Sequence, residues 1–298
     1  MVFHPPVAIV AKAGDAGKYK VGLPAWNMVL RGFFSGAFIA MGGALATVCT
    51  TNLAASTAIL TTNPELAFGA SSAGFSQLIL GAVFPVGLII TVLTGAELFT
   101  GDAMLAPMAA FVHKVSWAAV IKLWVFVYIG NFIGSVWFAY IMAYGPCSSW
   151  NAAGAATVTA FGSRAIAIAG AKVAYVGAAG MWSAFLKAIA CNWLVNLAIL
   201  LGICADDLIG KFFGIWFPIM AFVSTGFEHS IANMYFIPAG LLTQGFITDP
   251  TKINAGLTWV TAWTNNLIIV TIGNIVGGMI FVGLLYWVAF RKEIQALK

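Results

Sequence analysis

The stretch Gly226-Phe-Glu-His-Ser-Ile-Ala-Asn-Met-Tyr235 sets a glutamate and a histidine side by side in the middle of an apolar run. Before it stands Trp216-Phe-Pro-Ile-Met-Ala-Phe-Val-Ser-Thr225, and after it Phe236-Ile-Pro-Ala-Gly-Leu-Leu242. What the pair is doing there depends on the solvent around the chain. Of 298 residues, 61% are hydrophobic and only 8% charged, with a mean hydropathy of +0.97. A soluble globular protein carries about 25% charged residues, so this chain cannot cover a water-facing surface and its solvent is largely lipid. In lipid, an ionisable side chain costs at least a few kcal/mol and therefore faces a cavity or a partner. Irregular backbone at membrane depth is tolerated only when protein buries it or when it lines such a cavity. Glu228 and His229 thus read as residues of a helix interrupted to line a passage.

A helix that crosses a bilayer needs about 20 mostly apolar residues. On that measure six spans stand out, at 28–50, 74–97, 117–144, 181–204, 212–241 and 265–290. The second and fifth meet a polar interruption and then resume. Six spans put both termini on one face. Lys12, Lys18, Lys20, Lys114, Lys211, Arg291, Lys292 and Lys298 lie on that face, against Arg164, Lys172 and Lys252 opposite. Basic residues gather on the cytoplasmic side, so both termini are expected in the cytoplasm. The segment before the first span, 1–27, reads either as a short helix on the membrane surface or as a disordered basic tail. Residues 28–290 form the transmembrane domain, with repeats at about 28–144 and 181–290, and 291–298 form a cytoplasmic tail. The net charge of +5 is small and scattered, which excludes a nucleic-acid footprint. Cys49, Cys147, Cys191 and Cys204 show no close pairing, so neither a disulfide framework nor a metal site is expected.

The interruption has an echo. Gly95-Ala-Glu-Leu-Phe-Thr-Gly-Asp-Ala-Met104 also begins Gly-x-Glu, stays polar for several residues and reaches a methionine. Tyr128-Ile-Gly-Asn-Phe-Ile-Gly-Ser135 in the third span recurs as Thr271-Ile-Gly-Asn-Ile-Val-Gly-Gly278 in the sixth. Their glycines, Gly130 and Gly134 against Gly273 and Gly277, supply small faces for close helix packing. The echoes pair the second span with the fifth and the third with the sixth. Three spans per half is an odd number, so the halves insert in opposite senses, and a site is expected where the two discontinuous helices meet.

At each break the glutamate, Glu97 or Glu228, is read as bracing the loop by accepting backbone N–H groups. His229 is the only histidine in an apolar span, since His4 and His113 lie in terminal or interfacial sequence. A buried histidine commonly bonds to backbone, but one at a helix break within a repeat is placed to meet what passes. Imidazole titrates near neutrality and can hold or lend a proton. No HExxH, GxSxG, Walker loop or Rossmann fingerprint is present, so no enzyme and no cofactor is expected. Asn63-Pro64 continues to Glu65, not to the alanine of a water-channel motif.

At these residues the sequence resembles the formate/nitrite transporter family, and more closely the formate carriers associated with formate dehydrogenase. Phe227-Glu-His-Ser-Ile-Ala-Asn-Met234, Gly95-Ala-Glu-Leu-Phe-Thr100, Thr271 to Gly278 and Cys191-Asn-Trp-Leu-Val195 carry the likeness across all six spans. The resemblance implies an all-α, aquaporin-like protomer with broken second and fifth helices, assembled as a homopentamer with one pore in each protomer. It implies that Leu98, Phe99 and Thr100, with Leu88, form one constriction, and that Phe84 and Phe222 belong to the other. His229 becomes the central pore histidine, supported by Glu228 and Asn192, with Asn233 and Asn274 in the structural frame. A lysine ahead of the fourth span helps attract the anion in that family. Lys172 is the candidate, although its twenty-residue distance from Asn192 is about one turn too long. Either the loop around Gly177–Gly180 carries an insertion or Lys172 is an ordinary exposed lysine. The implied function is passage of formate or a similar small monovalent anion across the cell membrane, as the ion or together with a proton. Nitrite, hydrosulfide and lactate are the rival substrates, and a membrane anchor for a formate-metabolising complex is the rival class.

Overall fold

The structure is a computed structural model that describes residues 3–53 and 73–296, so the Asn63-Pro64-Glu65 reading lies outside the described residues. The chain opens with α1 (Pro6–Val21) and turns at Gly22 into the first long helix, α2 (Ala25–Cys49). The second crossing comes in three pieces. Residues Ala73–Val83 (α3) bend at Phe84-Pro85 into Val86–Thr94 (α4), and after a break the half-helix α5 (Phe99–Phe111) follows. Helix α6 (Trp117–Tyr144) starts on Ser116, whose hydroxyl accepts the Ala119 N–H.

The second half repeats the plan. Helix α7 (Ala160–Lys172) leads into α8 (Gly177–Cys204), then α9 (Leu208–Ser224), a break, and the half-helix α10 (Ser230–Gln244). The last helix, α11 (259–296), contains two π-helical stretches, Trp263–Leu267 and Val276–Leu284. Among the described residues five helices are long and apolar enough to cross alone, and the remaining crossing is shared by the shorter α9 and by α10. One short antiparallel hairpin, Ser148–Trp150 with Ala156–Val158, lies outside the all-α reading.

Both breaks are built alike. Helices α4 and α9 end at Gly95 (φ 74°) and Gly226 (φ 71°), left-handed positions that favour glycine. Just before them, the Thr94 and Thr225 hydroxyls fold back onto the carbonyls of Ile90 (2.7 Å) and Ala221 (2.8 Å). Gly95, Glu97 and Pro107 stand in register with Gly226, Glu228 and Pro238. The methionine echo does not keep register: Met104 lies nine residues after its glycine and Met234 eight. That part of the resemblance between halves is fortuitous.

The recurring glycines bring α6 onto α2 and α11 onto α8. A Cβ at Gly130 or Gly134 would stand 2.3 or 2.0 Å from the carbonyls of Val29 and Phe33, and one at Gly273 or Gly277 would stand 2.8 or 2.4 Å from those of Phe185 and Ile189. Backbone cannot yield as a flexible side chain can. Gly134→Ala is therefore expected to cost about 1–3 kcal/mol by overpacking, read as a lowered unfolding temperature in detergent. Gly14→Ala, whose nearest atom would be 3.9 Å away, should be neutral or slightly stabilising.

Helix α1 is an ordered helix and not a free tail. Gly14 and Gly17 are buried, and Gly17 packs on the Leu105 carbonyl of α5. Helix α7 packs on α10 in the same way, with Ala165 and Ala169 against Gly240. Each half therefore comprises three crossings and a helix that closes one end. Helix α1 also touches the last turns of α11, which puts both chain ends on the same side of the protein, its terminal face.

Candidate functional site

The first residues of α5 and α10 meet head to head between two cavities. The four orphan N–H groups at a helix start carry partial positive charge, so two such ends facing each other need acceptors. Asn131 of α6 and Asn274 of α11 provide them by one shared arrangement. The Asn131 Oδ1 accepts the Phe99 N–H at 3.0 Å, and its Nδ2 donates to the Gly32 and Glu97 carbonyls at 2.8 and 3.0 Å. The Asn274 Oδ1 accepts the Ser230 N–H at 2.9 Å, and its Nδ2 donates to the Ala188 and Glu228 carbonyls at 2.8 and 2.9 Å. The Glu97 and Glu228 N–H groups in turn donate to the Arg31 and Lys187 carbonyls, at 3.2 and 3.4 Å.

This corrects the reading of the two glutamates. Because asparagines satisfy the loop backbone, the carboxylates are free to meet side chains instead. Glu228 Oε1 accepts from Lys172 Nζ at 2.7 Å and from the Tyr175 hydroxyl at 2.9 Å, and Oε2 accepts from Asn233 Nδ2 at 2.7 Å and Asn266 Nδ2 at 3.2 Å. Asn266 lies in the first π-helical stretch of α11, an insertion that re-aims side chains and recurs at functional sites. Burial first, and then the Glu228 charge, hold the Tyr175 phenol above its ordinary pKa, so it remains a donor. Lys187 approaches the Tyr175 hydroxyl at 3.1 Å and lies over its ring. In the first half the Glu97 carboxylate pairs with Lys20 of α1, and Arg31 stands 3.7 Å away. Burial opposes the Lys20 ammonium, but the charges of Asp102 and Glu97 outweigh it and raise its pKa.

Lys172 is thus neither an exposed lysine nor displaced by an insertion near Gly177–Gly180. It ends α7, a separate helix from α8, and residues 173–176 turn between them. Counting helical turns back from Asn192 assumes one continuous rod, which the chain does not form. Lys20 was unreadable as its counterpart: it lies 77 residues before Glu97, whereas Lys172 lies 56 before Glu228. No constant spacing signals the pair.

His229 caps α10. Its Nδ1 accepts the Ala232 N–H at 3.0 Å, and its Nε2 lies 2.9 Å from the Thr100 hydroxyl in the first turn of α5. A ring nitrogen that accepts an N–H carries no proton, so the ring proton sits on Nε2 and points toward Thr100. The Thr100 carbonyl accepts from Asn192 Nδ2 at 3.0 Å and from Asn196 Nδ2 at 3.1 Å. Asn192 also donates to the Asn274 carbonyl at 2.6 Å. The side-chain oxygens of Asn192 and Asn196 are buried and accept no hydrogen bond from the described residues.

On the face opposite the termini, a cavity of about 250 Å³ runs inward past Arg164, Lys172 and Glu228 to Phe84, Phe222 and His229. The Phe84 and Phe222 rings meet edge to face with centroids 6.0 Å apart, and Phe222 lies 5.7 Å from the imidazole. From the terminal face, a cavity of about 240 Å³ passes Lys20, Glu97 and Asp102 to Leu88, Leu98 and Ile199. Leu98 holds at the start of α5, without a capping hydrogen bond, the position that His229 holds at the start of α10. Phe99 is absent from both cavity walls. Its ring packs on Trp124 (6.1 Å) and Tyr128 (5.0 Å) of α6. These contacts hold the Phe99 side chain against α6, while Leu98 lines the terminal-face cavity.

A model of the family described as Formate/nitrite transporter matches residues 7–288. The chain is 41% identical over 295 residues to a probable formate transporter of Methanothermobacter thermautotrophicus, which covers 96% of this chain and 97% of that one. It is 34% identical over 299 residues to the formate channel BtFdhC of Bacillus thuringiensis, with 100% of both chains covered. Among solved structures it is similar to a pentameric formate channel with formate bound, at a TM-score of 0.71 and 31% identity, covering 90% of this chain and 98% of that one.

Proposed function

The chain belongs to the formate/nitrite transporter family, and from that premise we propose that it passes formate across the cell membrane, with His229 at the centre of the path. The observation that carries this reading is the His229–Thr100 hydrogen bond, which joins two half-helix starts within an apolar wall between two cavities. The named substrates of the relatives support formate over nitrite, hydrosulfide or lactate.

The anion is drawn in by the basic side chains of either cavity and by the positive ends of α5 and α10. The phenylalanine pair on one side and Leu88 with Leu98 on the other strip its water. In an apolar site the charged form of an acid is disfavoured, so formate becomes more basic. Taking up a proton from water of the cavity it entered by, it crosses the wall as the neutral acid and releases the proton to water beyond. The Nε2–H of His229 is placed to donate a hydrogen bond to it. With Nδ1 already accepting the Ala232 N–H, the ring serves as a neutral donor and not as a counter-charge. Protomers assemble as homopentamers with a path in each, a reading supported by the likeness to a formate channel that is itself pentameric. Both termini face the cytoplasm, as the excess of Lys and Arg on the terminal face supports.

A substrate panel in proteoliposomes across pH tests the reading directly. Purified protein that carries no formate would leave the anchor role standing instead. Phe222→Ala should raise the acetate-to-formate flux ratio about tenfold, the low end of what one methylene commands in an apolar pocket. An unchanged ratio would remove Phe222 from the selective constriction.

A further inference from the structure

The two halves match at the breaks except where chemistry changes, and one change introduces a charge. Five residues after its glutamate, α10 carries Asn233 and α5 carries Asp102. Asn233 Nδ2 donates to Glu228 Oε2 at 2.7 Å, a contact between a neutral donor and a carboxylate. Asp102 is fully buried and borders the terminal-face cavity. Its Oδ1 lies 3.0 Å from the Lys20 ammonium, and its Oδ2 has no hydrogen-bond partner among the described residues. Among the described residues Lys20 thereby serves two carboxylates, Glu97 and Asp102, whereas Lys172 serves one, Glu228.

We infer that Asp102 is a proton-accepting isostere of Asn233, and that its protonation sets how readily anions are admitted from the terminal face. A protonated aspartic acid has the shape of asparagine and, like it, a neutral donor to offer a carboxylate, one O–H in place of the two N–H of the amide. Holding a proton, Asp102 reproduces the opposite half: a neutral donor beside the glutamate, and a lysine balanced by one carboxylate. Ionised, it places a second negative charge on the cavity wall, cancels the attraction of Lys20 and repels an arriving anion. Lower pH on that face therefore speeds admission from it.

The charged groups around Asp102 are few. Helix α1 brings Lys20, the break brings Glu97, α2 brings Arg31, and α9 brings Lys211, which borders the same cavity. Helix α6 brings the Trp124 indole, which donates to the Asp102 carbonyl at 3.0 Å. Helix α8 contributes Ile199, and the second π-helical stretch of α11 contains no titratable side chain.

This inference rests on the proposed transport of formate, so its test includes a readout that needs no flux. The full-length protein in liposomes is titrated while the infrared carbonyl stretch of protonated carboxyl groups is followed, for the wild type and for D102N. A band that grows on acidification and vanishes in D102N supports the assignment. A band that D102N leaves intact overturns it.

In vesicles with the terminal face outward, only the outer pH is varied. Wild-type formate admission should then fall about tenfold from acid to neutral-alkaline conditions, the low end of electrostatic focusing in a cleft. D102N, which copies the opposite half, should admit formate at the acid rate throughout. N233D should confer a matching pH response on the other face. If D102N keeps the wild-type profile, the inference fails. If the wild type carries no formate at all, the transport reading fails while the infrared titration still decides the state of Asp102.

Discussion

His229→Phe is expected to lower formate flux at neutral pH about a hundredfold, the low end of what one positioned hydrogen-bond donor contributes. The substitution removes two separable things. One is the helix cap, because Nδ1 accepts the Ala232 N–H of α10, and losing such a cap costs about 1 kcal/mol. The other is the Nε2–H directed at Thr100 in the wall between the cavities. His229→Asn tells them apart. Asparagine is a good cap, so this variant should unfold near the wild-type temperature and yet lose flux as His229→Phe does. Flux in proteoliposomes and thermal unfolding are the two measurements. His229→Phe flux equal to that of the wild type removes the imidazole from the path.

Asn274→Leu should be the most destabilising single change in the second half. The side chain accepts one N–H and donates to two carbonyls, and all of these are buried. Leucine of similar size leaves the three without partners and gives water no room. At about 1–3 kcal/mol for each stranded group, the loss is on the order of 5 kcal/mol, comparable with the whole stability of many domains. Asn274→Ala leaves space for water to bridge the same groups and should lose distinctly less. Asn131→Leu should repeat the effect in the first half. If Asn274→Leu unfolds at the wild-type temperature, the asparagine is no brace.

The spans and both breaks could be read from sequence because they follow from composition along one segment. Apolar length marks a crossing, and Gly-x-Glu within such a run marks its interruption. The echo around Gly130 and Gly273 also contains the asparagines that brace the breaks, but sequence alone gave its glycines a role and not Asn131. The lysine partners were hidden because the ion pairs join segments whose loops differ in length. Lys20 sat among basic residues that speak for orientation, and nothing local set it apart. The packing of Phe99 on α6 was hidden for another reason: a helix restarting after a break has no rotational phase that neighbouring residues reveal. Asp102 stood within the Gly95–Met104 motif, but its meaning came only from seeing Asn233 in the equivalent place.

The meeting of α5 and α10 midway along the crossings has an electrical consequence. At a membrane voltage of about 100 mV, moving one charge all the way across involves about 2.3 kcal/mol. With the apolar wall near the middle, each cavity spans roughly half of that drop, about 1.2 kcal/mol. A bare anion feels both halves in sequence. An anion that gains its proton before the wall and sheds it afterwards completes the crossing as a neutral molecule and does no electrical work. Current recorded alongside isotope flux would therefore distinguish the two modes of passage.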